Sequence, residues 1–190
     1  MKPLLFALLA LALSGCSTTW PESASLNPIL NDQPDNILPQ GTRIKVDSND
    51  ARVGSQIIKI KLSGKPEVLI PNNVAPATLL ADRLAKGYAK QGAIITNDAE
   101  NHLTLGIEQL QAEVTKPGLV YKTRIAIRVK LNAEHNGSHI TKEYRKSAMQ
   151  ETATLPDTGD IEVMLNEQIA TLLNEMLGDS QVRNYIRSGN

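Results

Sequence analysis

The chain has 190 residues, a formal net charge of zero and 3% aromatic residues, with a single Trp, a single Phe and a single Cys. That length leaves room for one hydrophobic core and hardly two. The charge balance gives no basic excess for nucleic acid and no acidic solvating tail, and aromatics are too few for a platform that stacks sugars or bases.

Lys2 is followed by an almost wholly apolar run over residues 3–13. Such a run has the length of a signal-peptide core and falls short of the roughly 20 residues a helix needs to span a ~30 Å hydrocarbon layer. It closes on Leu13-Ser14-Gly15-Cys16, which resembles the lipobox of bacterial lipoproteins. The resemblance implies that residues 1–15 are a cleaved signal peptide and that Cys16 is diacylated on sulfur and acylated on its new amino group. An odd cysteine in an exported chain calls for a partner or a modification, and lipidation is such a modification. Several acyl chains hold stably where one holds marginally, each buried CH₂ contributing about 0.8 kcal/mol. In lipoproteins of this kind an Asp after the cysteine commonly retains the protein in the inner membrane. Ser17 at that position therefore implies the outer membrane.

Residues 16–40 carry prolines at 21, 28, 34 and 39 among Ser, Thr and Asn. The composition reads as a lipid-anchored flexible tether able to lift a domain several tens of Å, at about 3.3 Å per residue. Trp20 is expected at the membrane interface. Two apolar islands, residues 26–30 and 37–38, are segments that could dock on the domain.

Residues 41–190 read as one globular domain. Alternation predicts strands over 42–47, 56–62 and 68–70. A helix follows from residue 77, with Leu80, Leu84 and Tyr88 on its apolar face, Asn72 or Asn73 as its cap and Gly92 past its end. Strands at 93–95 and 102–114 come next. His135-Asn136-Gly137-Ser138 predicts a type I′ hairpin. With Asn136 and Gly137 as the loop, paired positions sum to 273: Ala133 meets Ile140, Val129 meets Tyr144, Ile125 meets Ala148 and Lys130 meets Glu143. In that register Lys142 and Lys146 turn toward the apolar face, a device that blunts an edge strand, so 139–150 is expected at the edge of the sheet. Asp160 is expected to cap a second helix carrying Ile161, Leu165, Ile169, Leu172 and Met176, and Val182, Tyr185 and Ile186 lie on a short last one. The expected fold class is α+β: a single, mostly antiparallel sheet, two main helices packed on one face, and a short C-terminal helix.

No catalytic constellation emerges. HExxH, GxSxG, Walker A and GxGxxG patterns are absent from the sequence. His135 and His139 fall on opposite faces of the predicted hairpin, so no metal site is expected, and no cofactor. Asp50 and Arg52 are the candidate recognition surface, set against a local reading in which the Asp satisfies turn N–H groups and the Arg pairs with it.

With these elements placed, the mature chain resembles the YajG-type lipoproteins of Gram-negative bacteria, an uncharacterised family. The resemblance rests on the lipobox, Asn27-Pro28, residues 46–54, residues 84–92, Tyr121, Lys142-Glu143-Tyr144-Arg145 and Tyr185-Ile186. Ala93 departs from it, since family members often carry an aromatic there. The resemblance implies an envelope lipoprotein with no assigned activity. The expected function is a non-enzymatic accessory module, anchored by Cys16 at the periplasmic face of the outer membrane. Its expected partner is another envelope protein, with homodimerisation through the 139–150 edge as a further arrangement. The alternatives are a module handling lipid, glycolipid or peptidoglycan fragments between helices and sheet, and a cell-wall enzyme with two facing carboxylates.

Overall fold

The computed structural model describes residues 19–188; Cys16 and Ser17 lie outside them. Seven strands are named within that span: β1 (Arg43–Asp50), β2 (Gln56–Lys61), β3 (Val68–Pro71), β4 (Ile94–Ile95), β5 (Asn101–Thr115), β6 (Tyr121–His135) and β7 (Ser138–Thr152). Three helices accompany them: α1 (Pro76–Lys90), α2 (Thr158–Gly178) and α3 (Ser180–Ser188). Their order along the chain matches the sequence reading.

The strand directions correct it. The sheet is mixed: β1 runs parallel to β4 and β5, and β2 parallel to β5, while β2–β3, β5–β6 and β6–β7 are antiparallel. Helix α1 is the cause. Fifteen residues at 1.5 Å each carry the chain back about 22 Å, to the level at which β1 began. The strands that follow therefore start beside β1 and point the same way, antiparallel to β3, the strand that enters the helix. One edge of β5 is shared end to end, with β1 along residues 101–107 and β2 along 112–115, while β6 covers the other edge.

The expected hairpin register holds at each pair: Ala133–Ile140, Val129–Tyr144, Ile125–Ala148 and Lys130–Glu143. Asn136 and Gly137 both have positive φ, 48° and 76°, as a type I′ loop requires. Lys130 nevertheless sends its ammonium across to Glu108 on β5, 2.6 Å away. Strand β7 pairs with β6 alone and is an edge.

One face of the sheet is covered. Leu103, Leu105, Ile107, Ile125, Val129 and Leu131 meet Leu80, Leu84, Ile169 and Leu172 from the helices, and each is essentially inaccessible. A bulge at Glu108 resets the alternation, so that Leu110, Ala112 and Val114 keep facing the core past it. The opposite face is open and lined with charge. Where α1 crosses α2, Gly87 is buried, and a Cβ there would lie 2.3 Å from Leu177 Cδ1.

Both apolar islands of the N-terminal segment are docked. Leu26 and Leu38 are buried, and Ala24 forms a parallel bridge to Asn72, with its N–H donating to Pro71 O at 2.8 Å. Trp20 is half-buried against the core. Docking also takes over the expected helix cap. Asn72 accepts from Leu26 N–H, Asn73 donates to Ser25 Oγ, and α1 starts at Pro76 without a side-chain cap. Helix α2 is capped by Asp157, which accepts from Asp160 N–H at 2.8 Å, so Asp160 is the capped residue and not the cap.

Candidate functional site

Asp50 and Arg52 sit where the ladder along β5 breaks. Asp50 pairs with Ile107 and Ile58 with Ala112, so seven residues, 51–57, face four, 108–111. The surplus forms a loop, and Arg52 folds back beneath it. Its guanidinium meets Asp50 in a two-pronged pair, Nε to Oδ1 at 2.8 Å and Nη2 to Oδ2 at 2.7 Å. Nη1 donates to Leu110 O and Gln56 O, carbonyls beside the interruption. The Arg52 side chain is 6% exposed. Its bonds to Asp50 hold that carboxyl below the usual range, against the opposing effect of partial burial. Held by this clamp, the loop carries Val53 at its tip, 99% exposed.

A second polar centre joins β7 to the helices. Asp179 lies between α2 and α3 and caps the latter, Oδ1 accepting from Gln181 and Val182 N–H. Its Oδ2 accepts from Tyr144 Oη at 2.8 Å and meets Lys142 Nζ at 3.1 Å. One turn earlier Glu175 pairs with Lys146. Two carboxylates thus share a cleft of about 500 Å³ with Lys142, each held in an ion pair with a lysine of β7. Burial works to raise the Asp179 carboxyl, and the bonds from Tyr144, Lys142 and the two N–H groups outweigh it and hold it low. A proton donor would need the opposite shift.

This centre sets a pH dependence. The carboxyls of Asp50 and Asp179 are lowered in the fold, so the stability they contribute is complete above the ordinary Asp range near 3.9 and is lost as pH falls below it. Tyr88 is raised by burial and by the nearby Asp179 carboxylate, and Tyr144 by burial and its bond to Asp179. Both keep their protons where an unfolded Tyr releases its own near 10, so stability falls as pH rises past about 10. Urea titrations are expected to give a plateau from about pH 5 to 9 with a decline on each side, and Tyr144→Phe is expected to shallow the alkaline decline. A midpoint that is flat from pH 7 to 11 would contradict the assignment.

The third feature is the docked segment, residues 24–42, which runs as a strap over α1 and α2. Helix α2 receives its backbone with a stripe of side chains: Glu162 accepts from Ser25 N–H, Asn166 from Asn27 N–H and Asn174 from Asn31 N–H. From α1, Arg83 donates to Asn27 Oδ1. Gln91 ties the far end, accepting Leu38 N–H on its carbonyl and donating through Nε2 to Gln33 and to Leu177 O. Ile29 rides high on the strap, 80% exposed, beside an open trough of about 690 Å³ along α2. Sequence reading missed Asn166, Asn174 and Gln91; Asp179 it reads as the start of the short last helix, which Asp179 caps. The only local signal was the spacing of 162, 166 and 174 on one helical face.

The register places His135 and His139 on opposite faces of the hairpin. Glu134 pairs with His139 and His135 with Ser138, and His102 contacts Ala99 O. Among the described residues no group of three His, Cys, Asp or Glu could hold a metal. No helix among them is long and apolar enough to cross a membrane.

Fold and surface together define a small strapped domain whose mixed sheet is covered on one face by helices. The sequence profile of a family described as "Uncharacterized lipoprotein" matches residues 28–187, and the chain belongs to that family. It is 23% identical to the uncharacterized lipoprotein YajG of Escherichia coli K12 over 189 residues, covering 98% of this chain and 97% of the relative. Its counterpart in E. coli O6:H1 matches equally. Among solved structures, protein XCC0632 from Xanthomonas campestris superposes with a TM-score of 0.61 at 9% identity, covering 88% of this chain and all of that one. A further uncharacterized protein gives 0.53 at 13% identity, over 83% and 98%. These likenesses are of fold.

Proposed function

We propose that this chain is an envelope lipoprotein held at the periplasmic face of the outer membrane by acyl chains on Cys16, with Ser17 as the sorting residue. Its domain acts as a non-enzymatic binding module for another envelope protein. The observation that carries the reading is Val53. A wholly exposed aliphatic residue at the tip of a loop is unremarkable when the loop is slack, but this loop is pinned by the Asp50–Arg52 pair and by two backbone carbonyls. In this reading Asp50 and Arg52 shape the recognition surface and Val53 touches the partner, with little ordering left to do on binding. A module for lipid, glycolipid or peptidoglycan fragments would need room between helices and sheet. Leu80, Leu84, Ile169 and Leu172 have zero exposure there.

The test is a photo-reactive residue at position 53 in the full chain, in cells, with Cys16 intact. One reproducible protein adduct is expected, and it is expected to disappear with Arg52→Ala. A lipid or glycan adduct, or no adduct, would overturn the proposal.

A further inference from the structure

Strand β7 is fifteen residues long and has a neighbour on one side only. The sheet's other outer strands offer less, since β4 has two residues and β3 has four and runs directly into the Ala24–Asn72 bridge. In a two-residue hairpin the closing pair, here His135 and Ser138, exchanges hydrogen bonds. Even-numbered residues of β7 therefore spend their N–H and C=O groups on β6. The odd-numbered ones, from His139 to Glu151, direct theirs outward, and the side chains of these same residues lie on the open face.

Inward-pointing lysines are a means of keeping such an edge unpaired. Here that means is spent. Lys142 is bound to Asp179 and Gln181, and Lys146 to Glu175, so both charges are neutralised within the chain. What remains on the outward side is self-complementary about Tyr144, with Thr141 and Glu143 on one side and Arg145 and Ser147 on the other. Within the chain Glu143 already pairs with Arg145 and Arg128, so a second copy would extend that network rather than meet free charges.

We propose that two copies of this chain associate by antiparallel pairing of their β7 strands about a two-fold axis at Tyr144. Paired positions then sum to 288, so residues 138–150 of one copy line up with 150–138 of the other. On the open face Glu143 meets Arg145 of the second copy, twice by symmetry, and Thr141 meets Ser147 of the second copy. Each is a favourable cross-strand pair. On the helical face Ile140 meets Ala148 of the second copy and Tyr144 meets its own equivalent. Lys142 meets Lys146 of the second copy, a like-charge pair that is tolerable because each ammonium is held by its own chain's Asp179 or Glu175. The interface is isologous and closes at two copies, so it consumes the exposed edge without leaving another for a filament. Moving the axis one residue to Arg145 sets like charges against each other. Moving it to Ser147 sets Glu143 against Glu151 of the second copy.

The register is tested in the full chain with cysteine pairs. Thr141→Cys combined with Ser147→Cys is expected to give a band of twice the monomer mass on a non-reducing gel, and either substitution alone is expected to give none. Positions 141 and 147 of one strand lie about 20 Å apart along it, so the two cannot join within a chain. Cys16 is present in all three variants and cancels. Glu143→Arg or Arg145→Glu alone is expected to weaken association at least tenfold by sedimentation, and the two combined are expected to restore it. A monomer at every concentration, cross-linking by either single cysteine, an adduct with a different protein, or a charge swap that does not restore association would overturn the proposal.

Discussion

A chain starting at residue 41 is expected to be less stable than one starting at residue 20 by about 2–4 kcal/mol. The apolar islands at 26–30 and 37–38 interrupt a composition typical of spacer, and Leu26 and Leu38 are 6% and 3% exposed, with Ala24 wholly covered. Burying a leucine side chain contributes roughly 1.5–3 kcal/mol, and ordering the strap costs part of that back. Removal also strips partners from groups that were satisfied. Gln91 loses Gln33 and Leu38, Asn174 loses Asn31 N–H, and Pro71 O loses Ala24 N–H. Urea unfolding of the two chains decides the matter: the shorter one should unfold at a clearly lower midpoint and expose apolar surface along α1 and α2. Equal midpoints would mean that the strap is a passenger.

Replacing Gly87 by valine is expected to cost about 2–3 kcal/mol. A Cβ at that position would stand 2.3 and 2.7 Å from the two terminal carbons of Leu177, and Leu177 is itself fully buried, with nowhere to turn. Leu177→Ala alone is expected to cost about 2–5 kcal/mol, through the cavity it leaves. Together the two changes exchange a large and a small residue across one contact, so they should cost less than the sum by at least about 1 kcal/mol. Chemical denaturation of all four proteins measures that coupling. Strict additivity would show that α1 and α2 do not press on each other at this point.

Legibility in the sequence followed the range of each interaction. The hairpin was readable to the residue because Asn136-Gly137 sets the loop and the loop sets each pair after it. The apolar faces of α1 and α2 were readable because Leu80, Leu84, Leu165 and Ile169 recur at helical spacing. Strand direction was not readable. The parallel pairing of β1 with β5 joins residues about 57 apart, and alternation is the same in parallel and antiparallel strands. The bulge at Glu108 was invisible for the same reason, since it shows only against β6.

The candidate site divides in the same way. The link between Asp50 and Arg52 spans two residues and could be foreseen. The bond from Arg52 to Leu110 O spans 58, and it is what buries the guanidinium. Sequence offers Asn72 or Asn73 as the helix cap because it favours the nearest use of a side chain, but the strap engages both. Asp179 and Tyr144 are 35 residues apart and nothing local joins them.

The docked strap has a consequence for distance. With acyl chains on Cys16 as proposed, no more than residues 17–23 lie between the anchor and the backbone bond that Ala24 makes to the domain. Seven residues reach at most about 23 Å. On so short a leash the domain patrols a thin layer next to its own leaflet, and no partner across the compartment could touch it without extending most of the way. Two such copies meet by sliding within the plane of the membrane, a search in two dimensions where even a weak contact is revisited often.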